Sequence, residues 1–295
     1  MPVLLQTALA LSAVGAIVIA IGYPLSTWLY RVFTDTRHWR IERGIYRVVG
    51  VDPDSEQRWS VYAISVVAFG VASVVVLWLL ILGQQWLPWS WDRSQTVTGA
   101  LNTSVSFVTN TNWQSYAGEA GAGYGIQMLG LTVQNFVSAG TGLAGAVALG
   151  RRPARAAAHR GGNFLGSRPR ARDPALLPIS VVAALLLLLG GAIQNLNPPE
   201  VIDTAVGGTQ TIQGGPVASQ EAIKMLGTNG GGFFNANSAH PFENPTPWTN
   251  LLQIVLVLII PFALTRTYGL IVGDRRQGRL VATVMGFLFA GAALL

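Results

Sequence analysis

Long apolar runs alternate along the chain with short polar or basic segments. Five of these runs are long enough to cross about 30 Å of hydrocarbon as helices, which takes roughly 20 residues. They lie at about residues 3–29, 59–83, 124–149, 176–194 and 249–272, and a sixth run extends from Leu280 to Leu295. The pattern predicts an all-α integral membrane protein.

The composition agrees with a lipid environment and excludes several kinds of site. Charged residues make up 11% of the 295 residues, whereas an ordinary soluble domain has about 25%. There are no cysteines, which excludes disulfides, iron–sulfur clusters and thiolate metal sites. The three histidines lie far apart and form no ligand-spaced motif, so we expect no structural metal site. Ala8-Leu9-Ala10 resembles a signal-peptidase site, but no basic residue precedes Arg31, so we expect no cleavage.

The basic residues predict the orientation of the chain. Positive charge stays on the cytoplasmic side of a membrane, and six arginines follow the first run, within residues 31–58. The N-terminus is therefore predicted to lie on the outer side of the membrane. With residues 90–122 and 196–247 also outside, all but two of the 19 basic residues, Arg93 and Lys224, fall on the inner side.

Two short apolar segments on the outer side are each followed by a loop rich in Thr, Asn or Gly. The first segment ends near residue 108 and starts at Asp92-Arg93-Ser94-Gln95, which resembles a helix N-cap with Gln at the third position. The second covers about residues 219–226. Both are too short to cross the membrane, so we predict half-membrane helices. We call residues 109–114 the first loop and residues 227–235 the second loop.

A helix followed by such a loop and a membrane span is typical of a re-entrant ion pore. Carbonyl oxygens of the loop can replace the water around a cation, and the carbonyl end of the short helix adds partial negative charge. A phosphate-binding loop is disfavoured, because Phe233 and Phe234 occupy the positions of the required Lys and Ser/Thr. A purely structural glycine turn remains the alternative.

The two helix–loop units also predict an internal repeat. Thr109 and Thr228 are 119 residues apart, and both units begin on the inner side, which indicates parallel rather than inverted repeats. The predicted divisions are an extra N-terminal transmembrane helix (1–30), a cytoplasmic loop (31–58), a first span–pore loop–span repeat (59–150), a basic cytoplasmic linker that could touch anionic lipid (151–175), a second repeat (176–272), and a cytoplasmic loop with the start of a truncated third repeat (273–295).

Several long stretches resemble one known family. They are Asp52-Pro53 with Glu56-Gln57-Arg58-Trp59, the run from Thr103 to Tyr116, the run from Gly215 through the second loop to Pro245, and Gly273-Asp274-Arg275-Arg276-Gln277-Gly278-Arg279. In these stretches the chain is similar to KdpA, the family of potassium-binding subunits of the bacterial Kdp potassium-transporting ATPase. The family has an extra first helix and four span–pore-loop–span repeats.

The resemblance implies a transported potassium ion and no ATPase site on this chain. It assigns the filter to residues of both loops, with Gln114 near the bound ion, and these are Asn110, Thr111, Asn112, Gln114, Thr228, Asn229 and Gly230. It also implies three partners, namely the P-type ATPase subunit KdpB, the subunit KdpC with one span, and the small peptide KdpF.

The sequence departs from the family pattern in two respects. Family members are nearly twice as long, so the chain resembles an N-terminal fragment with two of four filter loops. The sequence of residues 164–175 lacks the pattern of the amphipathic helix that the family predicts there, and a local frameshift is one hypothesis for this segment. The alternative functions are a non-conducting membrane assembly or scaffold protein, and a solute carrier with broken helices. The carrier is disfavoured because no intramembrane acid marks a substrate path.

Overall fold

The computed structural model describes residues 3–34, 44, 47, 58–154, 175–234 and 236–294. These residues are mostly helical. The longer helices are Val3–Thr34, Trp59–Leu82, Val133–Ala154, Leu177–Leu189, Pro247–Val272 and Arg275–Leu294. The shorter ones are Gln84–Trp86, Val97–Val108, Gly118–Gly121, Tyr124–Ile126 and Val217–Leu226. Most of the predicted loop at 31–58, most of the basic linker at 151–175 and all but the last residue of the out-of-pattern segment at 164–175 lie outside the described residues.

Three of the five complete spans predicted from the sequence are confirmed as single apolar helices of spanning length. They are Leu5–Thr34, Trp59–Leu82 and Pro247–Val272. The predicted span at 176–194 is represented by a helix of 13 residues, Leu177–Leu189. The predicted span at 124–149 is helical but contains a π-helical turn at Gln127–Thr132, which widens the helix by one residue over that turn.

The predicted start of the first short helix was wrong. The first short helix begins at Val97 with Thr96 as its N-cap, whose hydroxyl accepts a hydrogen bond from the backbone of Gly99 at 3.1 Å. Gln95 cannot complete the predicted cap, because its side-chain amide donates to the carbonyl of Gly121 at 3.2 Å and its oxygen accepts from Thr103 at 3.1 Å.

The expectation of an all-α chain also needs correction. Strand Glu200–Asp203 pairs with strand Thr209–Ile212 in an antiparallel hairpin. Both strands are exposed along their whole length. The turn between them contains Gly207 and Gly208, which have φ angles of 80° and 108°. Glycine adopts such angles without steric cost, so the Gly-Gly pair between runs rich in β-branched residues was the available signal for a hairpin.

The chain forms two compact units. One comprises Met1–Val66, Gly140–Ala175 and Ile254–Leu295, and the other comprises Val67–Ala139 and Leu176–Gln253. Both loops defined above fall in the second of these units, which therefore contains the whole candidate site.

Arg266 links two helices of the first unit by hydrogen bonds. Its Nη1 donates to the hydroxyls of Ser26 and Thr27, at 2.6 and 2.7 Å, and to the carbonyl of Tyr23 at 3.3 Å. The guanidinium carbon also lies 3.8 Å from the centre of the Tyr23 ring, in a cation–π arrangement. Helix Pro247–Val272 is thereby held to helix Val3–Thr34 by polar contacts on otherwise apolar surfaces.

In the second unit, the first short helix packs through its apolar face. Ala100 and Phe107 lie on one side of this helix, as expected for a separation of seven residues. They join Leu77 and Ile81 of helix Trp59–Leu82 in a buried cluster. This packing fixes the end of the first short helix at Val108, and hence the place where the first loop begins.

The second short helix and the exit of the second loop are fixed by an aromatic cluster. Tyr124, Val217, Phe233 and Phe234 are all buried together. The Phe233 ring lies 6.1 Å from the ring of Tyr124 and 5.0 Å from that of Phe234. The two phenylalanines that rule out a phosphate-binding loop therefore anchor the chain as it leaves the second loop.

Candidate functional site

The two loops lie side by side and are joined by direct hydrogen bonds. The side-chain amide of Asn110 donates to the carbonyl of Gly227 at 3.1 Å, and its oxygen accepts from Asn229 at 2.5 Å. The oxygen of Gln114 accepts from the backbone N–H of Gly232 at 3.1 Å. Loops separated by more than a hundred residues in sequence therefore form one structure.

The backbones of both loops contain left-handed residues. In the first loop, Asn110 and Asn112 have φ angles of 61° and 54°. In the second, Thr228, Gly230 and Gly231 have φ angles of 54°, 92° and 67°. Asn tolerates this region and Gly favours it, but for a β-branched Thr it is a strained conformation of the kind that clusters at functional sites.

Glycines in the second loop permit close contact with the first. A Cβ atom on Gly230 would lie 3.0 Å from the carbonyl oxygen of Thr111, and one on Gly231 would lie 2.4 Å from that of Asn112. The second distance is too short for any side chain. The carbonyl oxygens of the first loop are thus in van der Waals contact with the glycine backbone of the second.

The seven predicted site residues divide into two groups by exposure. Thr111, Thr228 and Gly230 are exposed, and Asn110 is half-buried. The other three are buried, and the side chains of all three take part in hydrogen bonds within the unit; they are Asn112, Gln114 and Asn229. The structure therefore brings all seven residues into one region but gives them different surroundings.

Two residues that the sequence reasoning missed support the loops from helix Val133–Ala154. Asn135 accepts a hydrogen bond from Asn112 at 2.6 Å. Ser138 donates to Asn110 at 2.8 Å and accepts from Asn229 at 3.0 Å. Polar residues three positions apart within an apolar run were the available signal, because such residues inside a membrane usually face a polar partner.

A buried charged group behind the second loop was also missed. Lys224 lies 2.6 Å from Glu221 and 3.9 Å from Glu243, and all three side chains are at most 2% exposed. Lys224 was predicted only as one of two basic residues on the outer side. Its position in the last turn of the second short helix directs it toward the loop that follows.

Glu243 lies in the segment between the second loop and helix Pro247–Val272. Burial raises the pKa of its carboxyl to about 7, although the charge of Lys224 acts in the opposite direction. One carboxylate oxygen accepts a hydrogen bond from the backbone N–H of Phe233 at 2.5 Å. Glu221 is the closer of the two acids to Lys224, at 2.6 Å against 3.9 Å for Glu243.

Oxygen ligands are what this arrangement can offer to a cation. Within the described residues, no group of three or more His, Asp or Glu side chains is placed to hold a metal ion. The exposed residues of the two loops instead include Thr111, Thr228 and Gly230, and their carbonyl and hydroxyl oxygens are the type of ligand that suits a weakly bound monovalent cation that must also leave.

Comparison with known proteins identifies the family. The model of the family described as "KdpA: Potassium-transporting ATPase A subunit" matches residues 12–295. The chain is 53% identical over 276 residues to the "Potassium-transporting ATPase potassium-binding subunit" of Kineococcus radiotolerans, covering 93% of this chain and 49% of that protein. It is 55% identical over 280 residues to the protein of the same name from Mycolicibacterium smegmatis, covering 94% and 50% of the two chains.

The chain spans about half the length of the curated relatives it matches. The match nevertheless includes both loops and every helix described above except the first few residues of helix Val3–Thr34. The chain therefore belongs to the family of potassium-transporting ATPase A subunits.

Proposed function

We propose that this chain is part of a potassium-binding and translocating membrane subunit of an ATP-driven uptake complex, with its two loops forming part of the selectivity filter. The observation that supports the proposal most directly is the cross-linked pair of loops, in which left-handed residues and glycines bring two backbones into contact. Such backbone is tolerated at membrane depth only where it lines a cavity or is buried in protein.

Within this proposal the seven predicted site residues have two roles. The exposed Thr111, Thr228 and Gly230 offer their backbone oxygens to the ion. The buried Asn112 and Asn229, together with the other buried residue of the site, Gln114, hold the loops in place. Asn110 takes part in both roles, because it is half-buried and its side chain bridges the loops.

The remaining parts of the proposal rest on the resemblance to the family and on the distribution of basic residues along the sequence. The chain would assemble with a P-type ATPase subunit, KdpB, and with KdpC and KdpF, and ATP hydrolysis by KdpB would supply the energy. It would lie in the bacterial inner membrane with its N-terminus outside. Its span–loop–span units would be parallel repeats, and further repeats beyond this chain would complete the cation passage.

The test is a glycine substitution at the exposed edge of the second loop. In the assembled complex, Gly230→Ala places a methyl group 3.0 Å from the Thr111 carbonyl at a φ angle of 92°. We expect the apparent potassium affinity, measured by potassium-stimulated ATP hydrolysis, to fall roughly tenfold or more, since a strained loop position costs about 1–3 kcal/mol.

The matched control is Gly142→Ala. Gly142 lies in helix Val133–Ala154, and a Cβ there would meet nothing within 4 Å. The control should leave the potassium dependence unchanged. Equal potassium affinity and equal discrimination against sodium in Gly230→Ala and Gly142→Ala would contradict the proposed filter and favour a role in membrane assembly.

A further inference from the structure

Lys224 is the only lysine in the sequence, and every other basic residue except histidine is arginine. It is also 2% exposed, whereas lysine is almost never fully buried unless it is paired. A single ammonium group is therefore buried at the base of the second loop, in a chain that uses guanidinium groups elsewhere.

Three acceptors surround this ammonium group. Nζ lies 2.6 Å from Oε2 of Glu221 and 3.0 Å from the carbonyl oxygen of Gly231, and it donates to the hydroxyl of Ser238. An ammonium group has three N–H donors, so each donor has one partner. A planar guanidinium is larger and presents its donors in a rigid fork, which does not match acceptors arranged around one nitrogen.

Three successive residues of the second loop are held by three buried side chains. The Gly231 carbonyl is held by Lys224, the N–H of the next residue by Gln114, and the N–H of Phe233 by Glu243. The first loop is held differently, because its residues Thr111 and Asn112 both donate from the backbone to the carbonyl of Ser106, at 3.0 and 3.1 Å.

The bond to Lys224 has a consequence for the ion path. A carbonyl that accepts a hydrogen bond from a buried ammonium group is directed toward that group, and the positive charge behind it repels a second cation nearby. Gly231 is buried, whereas its neighbour Gly230 is exposed. The Gly231 carbonyl is therefore engaged by Lys224 rather than available to a cation.

We propose that Lys224 is a positioning residue of the second loop, which withdraws the Gly231 carbonyl from the cation and ends the set of ion-binding carbonyls at Gly230. This inference rests on the proposed function, since it specifies which oxygens of the loop face potassium. Lys224 acts through the loop backbone and makes no contact with the ion.

The test uses a substitution that preserves the net charge of the buried group. Lys224→Met alone would leave two carboxylates without a cation, which is strongly destabilising. The double variant Lys224→Met/Glu221→Gln removes one charge of each sign and leaves Glu243 unchanged. It removes the bond to the Gly231 carbonyl while it keeps an unbranched side chain of similar size at residue 224 and one of equal length at residue 221.

We expect the double variant, in the assembled complex, to fold but to discriminate less well between potassium and sodium. Hydrogen bonds to charged groups contribute enough that the discrimination, measured by competition in ion-stimulated ATP hydrolysis, should fall about tenfold or more. Lys224→Arg, which keeps the charge but not the donor geometry, should show a similar loss. Thermal stability and elution as a single species, measured in parallel, report on folding separately.

Unchanged discrimination in a folded double variant would overturn the proposal. If the double variant does not fold, Lys224→Arg takes its place, because it keeps the buried positive charge but changes the donors that face the Gly231 carbonyl. We expect it to lower discrimination about tenfold, as in the double variant, and an unchanged value in a folded Lys224→Arg would again overturn the proposal.

Gly230→Ala separates this inference from the proposed function. If Gly230→Ala lowers the discrimination between potassium and sodium and the Lys224 variants do not, only the role of Lys224 is refuted. No change with either would refute the filter itself, and with it the inference.

Discussion

Replacing Gly231 with alanine tests the contact between the two loops most directly. The new Cβ would lie 2.4 Å from the carbonyl oxygen of Asn112 at a φ angle of 67°. The left-handed conformation costs alanine roughly 1–2 kcal/mol. Relief of the overlap needs a backbone shift of several tenths of an ångström, because a Cβ contact below 3.0 Å is essentially never seen.

That shift would strain two hydrogen bonds on the far side of the loop. The Gly231 carbonyl lies 3.0 Å from Lys224, and the next backbone N–H lies 3.1 Å from Gln114. A bond to a charged group contributes about 1.5–3 kcal/mol and a neutral one about 1 kcal/mol. With partial loss of both, we expect Gly231→Ala to destabilise the protein by about 2–5 kcal/mol.

The assay is thermal unfolding of the purified protein in lipid nanodiscs. The unfolding midpoint is recorded for each sample at several potassium concentrations. A loss of this size lowers the unfolding midpoint by roughly 4–20 °C, at about 2–4 °C for each kcal/mol in a chain of this class. Gly142→Ala, at an open helical position, should leave the midpoint unchanged or raise it slightly. A midpoint for Gly231→Ala within 1 °C, roughly, of that control would refute the close contact of the loops, by the same scaling.

Three further outcomes are expected. Gln114→Leu leaves the N–H of Gly232 without its acceptor, so apparent potassium affinity should fall in ATP-hydrolysis assays of the complex. Burial raises the pKa of Glu243 from 4.5 to about 7; the charge of Lys224 lowers this pKa and that of Glu221 raises it further. The folded protein therefore holds this proton more tightly than the unfolded chain, so the stabilising contribution of Glu243 is present below pH 4.5 and is lost as pH rises through 7. Unfolding midpoints of Glu243→Gln should show less of this fall. Arg266→Ala removes three hydrogen bonds and should lower the midpoint without changing ion preference.

Each of these outcomes has a result that contradicts it. Gln114→Leu with normal potassium affinity would mean that the bridge between the loops does not matter for the ion. An identical pH dependence in Glu243→Gln and the unsubstituted protein would show that this carboxyl does not titrate as its burial requires. Altered ion preference in Arg266→Ala would show that the first unit influences the candidate filter.

The sequence predicted those parts of the site that depend only on short local motifs. Thr-Asn pairs after short helices identified both loops, and the glycines indicated backbone that must adopt unusual angles. All seven predicted residues lie in one region of the structure. Their division into exposed and buried groups could not be predicted, because it depends on which neighbours each side chain meets.

Residues that act across the fold were the ones that sequence reasoning missed. Ser138 lies in an apolar run predicted only as a membrane span, and nothing local shows that it reaches Asn110. Lys224 was predicted only as an exception to the charge asymmetry. Its three acceptors lie in different segments of the chain, so no local pattern indicates them. The wrong N-cap has a similar cause, because Gln95 bonds to Gly121 rather than to its own helix.

The π-helical turn at Gln127–Thr132 sets the rotational phase of everything that follows it on the same helix. Each residue of an α-helix advances about 100° around the axis, and a π turn accommodates one residue more than the regular spiral would. Deleting a single residue there would restore the regular spiral and swing Asn135 and Ser138 about a quarter of a revolution away from Asn112, Asn110 and Asn229. The π-helical turn therefore determines that the Asn135 amide and the Ser138 hydroxyl face the two loops.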